Sequence, residues 1–337
     1  MDVLDVLTTR YAFAEIAALI DAGAYAGERS LRQLADAQQL CAFGQRVLDL
    51  DAEDFGLPDA AVGSNVAHSI ADRVEGDAVP PELVVRSRAV RVPQSAHERH
   101  RGILGSLRPA FCLLLEVIAV RWQRRETSPL VAAVHTASEY LPMLIWEPVL
   151  GHAGDPARMP ESVGGAGSRW GDFVDRECPH TKPQKSAAER CLRVAGEQDT
   201  GWRTYLDRQH SIVSHALATC AWECQTRCTV IASRTPADQE RLAARCRIAA
   251  ELQGSAIVRL RHSAPVGHGL GVPSPDEVAE AWRHTRTTLG AREPSVLVDD
   301  AYPLPGLPSL LSTLAGVPIR PSTIIADTAA ALRHALA

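Results

Sequence analysis

The chain has 337 residues, of which 46% are hydrophobic and 22% are charged, the composition of an ordinary globular protein. Its net charge of −5 argues against a generally basic surface of the kind that coats nucleic acid. A chain of this length is expected to form more than one domain.

The beginning of the chain, MDVLDVLTTRYAFAEIAALI, lacks the basic region that opens a secretory signal. The longest apolar stretch, PAFCLLLEVIAV, is too short to cross a bilayer and contains Glu116, so it is predicted to be a buried core helix. The eight cysteines are scattered along a long chain, which does not favour a disulfide framework. We therefore expect reduced thiols, a cytoplasmic location and no membrane partner.

Residues 1–155 are predicted to form a helical domain of unknown role. The segments AFAEIAALIDAGAYAG and SLRQLADAQQLCAFGQRVLDL repeat apolar residues at the helical period. The segment from Ser128 to Trp146 opens with Ser-Pro, which suits an N-cap followed by proline at N1. PELVVRSRAVRVP fits a helix or a strand. Gly, Pro and Ser between Gly151 and Gly171 indicate a linker or a long loop.

Helical signals resume within residues 172–227, which are predicted to form a helical cap or bundle. After Cys228, short apolar runs alternate with capped helical segments that begin near Thr235 and Ser274, and Asp327 is predicted to cap the last helix. The runs predicted as strands are TVIAS, SAIVRL, SVLVD, VPI and STIIA. This alternation predicts an α/β fold, in which residues 228–337 form a flavodoxin-like, doubly wound parallel sheet.

Ligands of such sheets bind at the carboxyl ends of the strands. This rule selects four predicted loops, at residues 233–236, 262–271, 299–306 and 320–322. The second loop is long and rich in glycine, so its backbone is expected to approach a ligand closely. The loops contribute the candidate ligand-binding residues His262, His268, Asp299 and Asp300.

Three cysteines, Cys220, Cys224 and Cys228, share one face of a predicted helix. The helical rise separates the outer two by about 12 Å. One zinc ion, with Zn–S bonds of about 2.3 Å, cannot bind all three. A pair could bind a metal only with ligands from elsewhere, for example Cys178 and His180. We interpret the three cysteines as core residues and assign no metal site.

The segment GWRTYLDRQHSIVSHAL places Trp202 and then His210 just ahead of the predicted sheet. This arrangement resembles the cobalamin-binding module of B12-dependent photoreceptor regulators and methionine synthases, over about residues 185–337. In DQERLA, Asp238 stands at the Asp of the family's lower-ligand motif and Glu240 stands at its His. The resemblance extends to the segments SVLVDDAYPLPGLPSLLSTLAGVPI and STIIADTAAALRHAL.

The resemblance implies a corrinoid held between the helical cap and the edge of the sheet. Because Glu240 replaces the histidine, the corrinoid would keep its own base or water below and use His210 above. His215 lies on another face of the helix and is not expected to take part. The implied cofactor-binding residues are Trp202, His210, Asp238, His262, His268, Asp299 and Asp300.

The sequence predicts a cytoplasmic small-molecule-binding or regulatory protein, with cobalamin as the candidate cofactor and no assigned catalytic residue. One alternative is a metal- or haem-assisted enzyme with its site in the helical half, around His97, His100, His135 and His210. A second alternative is a ligand-free interaction module in which the α/β domain serves as a dimer surface. The expected partners are a small-molecule ligand and a second copy of the chain, without a membrane or nucleic acid.

Overall fold

The structure is a computed structural model that describes residues 3–51, 78–93, 95–164, 168, 170, 179–194, 199–225, 228–263 and 271–337. About 70% of it is helical, and the described residues contain no sheet. A 3-10 turn covers Pro294–Leu297. The α-helices of the described residues are α1 Val3–Thr9, α2 Phe13–Asp21, α3 Leu31–Leu48, α4 Pro81–Arg88, α5 Gly102–Gly105, α6 Arg108–Arg124, α7 Thr127–Leu150, α8 Met159–Val163, α9 Lys182–Val194, α10 Asp199–Arg208, α11 His210–Trp222, α12 Thr229–Ala232, α13 Pro236–Gln253, α14 Ala256–Ser263, α15 Pro275–Gly290, α16 Leu307–Ala315 and α17 Ile324–Ala335.

Helix α7 is the central helix of the fold. It is apolar on most of its faces, and buried side chains occur along its full length, as expected of a helix surrounded by others. Helices α6, α11, α13 and α14 pack directly against it. The Met143 amide of α7 donates a hydrogen bond to the Ser214 hydroxyl of α11 at 3.0 Å, and this bond links the two helices.

The two ends of the chain pack against each other. Helix α17 contacts α1 and α3, and Asp327 in its first turn accepts a hydrogen bond from Arg86 of α4 at 2.6 Å. Buried apolar side chains from Leu4 to Leu336 form one continuous cluster. Helices from all three predicted domains contribute to this cluster. No helix in the described part of the chain has the length and apolarity needed to span a membrane.

The predicted flavodoxin-like parallel sheet over residues 228–337 is wrong. The runs read as strands lie instead in α12, in α14, in the 3-10 turn, in the coil after Gly316 and at the start of α17. Within the described residues, the β-pairing is limited to an isolated bridge between Ala26 and Arg29. The physical reason is that four or five apolar, β-branched residues also fit the buried face of a short helix. Ile231 and Ile257 are buried in this way.

The helix-start signals were more reliable than the strand signals. Ser274 and Glu277 form a complete capping box at the start of α15, and the Thr235 hydroxyl accepts the Asp238 amide at the start of α13. The stretch PAFCLLLEVIAV lies within α6, whose buried residues include Glu116. The ambiguous segment PELVVRSRAVRVP contains α4. Two predicted starts are shifted, because α7 begins at Thr127 and α17 begins before Asp327.

The predicted linker or long loop from Gly151 to Gly171 contains a buried segment, although Gly151, Arg158 and Glu161 are exposed. The loop at residues 152–156 is fully buried, and α8 follows it directly. Glycine at position 154 is required, because its φ is +67° and a Cβ there would lie 2.3 Å from the Met143 side chain. This loop carries the polar residues around which the candidate site is built.

Candidate functional site

A buried ion pair joins the loop after α7 to the segment before α5. Arg101 donates from Nε and Nη2 to the two carboxylate oxygens of Asp155, both at 2.7 Å. Asp155 is 0% exposed, and Arg101 Nη1 also donates to the carbonyl oxygens of Ser95, Ala96 and Glu98. A bidentate pair of this kind fixes both position and orientation. The Arg101–Asp155 pair therefore locks the loop onto the helix bundle.

Trp202 packs against this ion pair. The Arg101 guanidinium lies 5.2 Å from the centroid of the Trp202 ring, in cation–π geometry. The indole Nε1 donates to the Pro93 carbonyl oxygen at 2.9 Å, and the side chain is 0% exposed. Trp202 is therefore a buried support for Arg101.

His210 is buried beside the same loop. Its Nε2 lies 3.2 Å from the Ala153 carbonyl oxygen, and because a carbonyl only accepts, Nε2 carries the proton. Burial lowers the pKa of His210 to about 4, since the charged imidazolium is costly to desolvate. His210 is therefore a neutral donor to the loop at pH 7.

His152 is the second neutral histidine of the loop. Its Nδ1 accepts the Asp155 amide at 2.8 Å, so Nε2 carries the proton and donates to the Ser162 hydroxyl at 2.8 Å. Burial lowers the pKa of His152 to about 4. The hydrogen bonds of both imidazoles are made within the protein.

Two tyrosine rings flank His210, with centroids 5.5 Å away for Tyr140 and 6.1 Å away for Tyr205. Burial raises the pKa of Tyr205, and it raises the pKa of the neighbouring Cys191 thiol to about 12. These groups are therefore uncharged at neutral pH. We call Arg101, His152, Asp155, Trp202, Tyr205 and His210 the buried polar centre. In this centre His152, His210 and Tyr205 are all neutral at pH 7.

An apolar cavity of about 250 Å³ lies against Tyr140. Nine of its lining residues are apolar: Leu50, Val90, Val92, Ile103, Leu107, Ala110, Phe111, Leu113 and Leu114. The other two, Thr136 and Tyr140, stand one turn apart on α7. Neither hydroxyl has a hydrogen-bond partner among the described residues. Burial raises the pKa of Tyr140 to about 12, so its phenol remains a neutral donor.

The structure brings Trp202 and His210 together in the buried polar centre, but the other predicted ligand-binding residues lie elsewhere. Asp299 is exposed, and Asp238 is partly exposed and interacts with Thr235 and Arg241. Asp300 binds the backbone of its own loop, where Oδ1 accepts the Gly306 amide at 3.1 Å. His262 lies in α14, and His268 is outside the described residues.

The corrinoid prediction depended on a parallel sheet, and the described residues form no sheet. It required a ligand between a helical cap and the carboxyl ends of parallel strands, and residues 228–337 form helices there instead. Trp202 is fully buried, and the His210 Nε2 proton is bonded to Ala153. Within the described part of the chain, Trp202 and His210 therefore do not face the edge of a sheet.

A metal-assisted enzyme would need a cluster of metal-binding side chains. Among the described residues, no group of three or more His, Cys, Asp and Glu side chains is arranged to hold a metal ion. The Cys220 Sγ lies 3.2 Å from the His180 Nε2, which is also 3.0 Å from the Ala216 carbonyl oxygen. Cys220 and Cys228 are buried, Cys224 is partly exposed, and Cys178 lies outside the described residues.

The histidines predicted for a helical-half enzyme site occupy different environments. His97 and His100 are exposed, whereas His210 belongs to the buried polar centre. The His135 Nδ1 lies 3.3 Å from a Glu139 carboxylate oxygen. The His135 Nε2 accepts a hydrogen bond from Arg261 Nη1 at 2.7 Å. The His135 imidazole therefore lies between a cation and an anion and has no free nitrogen.

Sequence reasoning missed the residues that build this region. The signal for His152 and Asp155 was the GHAGDP loop, in which polar side chains alternate with glycine directly after a long apolar helix. The signal for Thr136 and Tyr140 was a pair of polar residues four positions apart on that helix.

Comparisons with known proteins add no family to this geometry. No protein-family model, curated protein or solved structure matches the chain. A function must therefore be argued from the contacts of the chain itself.

Proposed function

We propose that the protein binds a small, uncharged and mainly apolar molecule with one hydrogen-bond acceptor, in the cavity lined by Thr136 and Tyr140. The observation that supports this proposal is the pair of hydroxyls without protein partners in an otherwise apolar lining. A ligand oxygen that accepts from a hydroxyl without a protein partner adds a hydrogen bond worth about 0.5–1.5 kcal/mol. An oxygen atom of a ligand would accept from both hydroxyls.

The size and shape of the cavity suit a compact molecule. At about 250 Å³ it exceeds an engineered apolar cavity of about 150 Å³ that binds benzene in another protein. Ligand pockets are typically apolar with a few polar groups that fix the orientation of the ligand. A single ring with a short substituent fits this description.

The environment of the cavity favours binding over chemistry. Among the described residues no charged side chain lines it, and its two hydroxyls are neutral donors. Behind Tyr140, the His210 proton is already bonded to the loop that carries Ala153. A ligand in the cavity would therefore contact apolar side chains and two neutral hydroxyls, and no charged group among the described lining residues.

The proposal is tested with two isosteric probes, acetophenone and α-methylstyrene, which differ in a carbonyl oxygen against a methylene group. We expect isothermal titration to show the ketone binding about tenfold more tightly, since about 1.4 kcal/mol of net hydrogen bonding corresponds to that factor. Tyr140→Phe and Thr136→Val are each expected to reduce the difference, while binding of the alkene is retained.

Two control variants complete the experiment. Ala110→Phe places a ring in the cavity and is expected to abolish binding of both probes, whereas Val85→Thr, at a position 64% exposed on α4, is expected to change nothing. Circular dichroism checks that each variant is folded. Equal affinities for the two probes, no binding by the wild type, or binding that survives Ala110→Phe would each refute the proposal.

A further inference from the structure

A second concave surface lies near the C-terminal end of the chain and shares no lining residue with the apolar cavity. It is a groove of about 970 Å³ between α13, α16, the loop before α16 and the segment after it. Its polar lining residues include Arg245, Asp300, Ser309, Thr313 and Arg320. We call it the C-terminal groove.

Two arginines of this groove have no partner within the described part of the chain. Arg245 and Arg320 make no ion pair or hydrogen bond with any described residue. By contrast, Arg241, one turn earlier on α13, pairs with Asp238. The Arg245 guanidinium lies close to the end of α16, because a Cβ on Gly316 would be 3.1 Å from its Nη1. A glycine at that position leaves room for the guanidinium.

The carboxylate in the groove does not neutralise these cations. Asp300 Oδ1 accepts the amides of Tyr302 and Gly306, at 3.3 and 3.1 Å. Its Oδ2 lies 3.5 Å from the Ser309 hydroxyl. The acid therefore organises its own loop, and no ion pair joins it to either guanidinium within the part of the chain that the structure describes. The groove carries a local excess of positive charge on a chain of net charge −5.

The remaining lining suits an organic molecule more than a bare ion. The Thr313 hydroxyl has no hydrogen-bond partner among the described residues, so it is free to bind a ligand oxygen. Four prolines, Pro303, Pro308, Pro318 and Pro321, provide apolar surface beside the charged groups. A volume of about 970 Å³ lies at the upper end of the range for small-molecule sites, about 300–1,000 Å³.

We propose that the C-terminal groove binds an organic phosphate monoester, with Arg245 and Arg320 on the phosphate and the prolines against the organic part. Guanidinium groups match the geometry of phosphate oxygens and bind them through charge-assisted hydrogen bonds. Thr313 would contribute a further donor. This site is independent of the small-molecule cavity proposed above.

The experiment uses the full chain and phenyl phosphate as the probe, with affinity measured by isothermal titration at low salt. We expect Arg245→Gln and Arg320→Gln each to weaken binding at least tenfold. Arg241→Gln removes an exposed arginine from the same helix and is expected to leave the affinity unchanged. Added salt should weaken binding through screening, and inorganic phosphate should bind less tightly because it lacks an apolar part.

Three results would contradict the proposed phosphate site. An Arg241→Gln variant that loses as much affinity as Arg245→Gln would show diffuse attraction to surface charge. Benzoate bound as tightly as phenyl phosphate would overturn the phosphate assignment, and absence of binding by the wild type would overturn the site. The variant Ala110→Phe, which fills the other cavity, is expected to bind phenyl phosphate normally. Thermal unfolding confirms that the arginine variants remain folded.

Discussion

Replacing Asp155 with alanine is expected to lower the free energy of unfolding by about 3–5 kcal/mol, because it leaves Arg101 without its partner in a buried setting. The two carboxylate oxygens both accept hydrogen bonds from that guanidinium, and Asp155 is 0% exposed. Such a loss is a large part of the total stability of an ordinary domain, about 5–15 kcal/mol. Urea unfolding followed by circular dichroism measures it.

Two comparisons separate the buried pair from ion pairs in general. Glu280 and Arg283 form an exposed pair on α15, with side chains 63% and 69% exposed, so Glu280→Ala is expected to cost far less stability than Asp155→Ala. Adding Arg101→Met to Asp155→Ala removes the unpaired cation, and the double variant should be more stable than Asp155→Ala alone. If Asp155→Ala destabilises no more than Glu280→Ala, the ion pair does not hold the loop in place.

Acidification from pH 7 to pH 4 is expected to destabilise the protein by about 3 kcal/mol through His210 alone. The pKa of His210 is lowered to about 4 in the folded state, whereas an unfolded histidine titrates near 6.5. The unfolded chain therefore binds a proton that the folded chain does not. The stabilisation is complete above about pH 6.5 and is lost as the pH falls towards 4. His152 acts in the same direction.

Denaturant unfolding at several pH values tests this linkage. His210→Gln should flatten the dependence of stability on pH, whereas His284→Gln, at an exposed position on α15, should leave it unchanged. Where His210→Gln does not fold, proton titration of the wild type by NMR gives the same answer, with the His210 resonances moving near pH 4. A His210 titration near pH 6.5 would contradict its burial beside the loop.

The helices could be predicted from local chemistry, whereas the sheet could not. Capping residues such as Ser274 and Thr235 act on the amides within one turn, so their signal is present in a short stretch of sequence. The runs TVIAS and SAIVRL carry no such local signal, since a short apolar run fits a buried strand as well as a buried short helix. Packing against α7 decides between them, and sequence periodicity does not report that packing.

The sequence indicated part of the candidate site and missed the rest. Trp202 and His210 were selected because their segment resembles a cobalamin-binding module, and they share one buried region. Their partners were missed because Arg101 and Asp155 are 54 residues apart in the chain, and the glycine-rich stretch was interpreted as a linker or a long loop. The cavity depends on how α6 packs beside α7, so Thr136 and Tyr140 gave no signal of a shared space.

The central claim is that a small ligand enters the cavity beside Thr136 and Tyr140. Methyl-selective NMR of the full chain during titration with acetophenone tests it most directly. The account predicts saturable shifts for the methyl groups of Ile103 and Leu107, which line the cavity, and none for Leu252 and Leu332, which are buried outside it. Shifts confined to methyl groups outside the cavity, or an unchanged spectrum at saturating ketone, would contradict it.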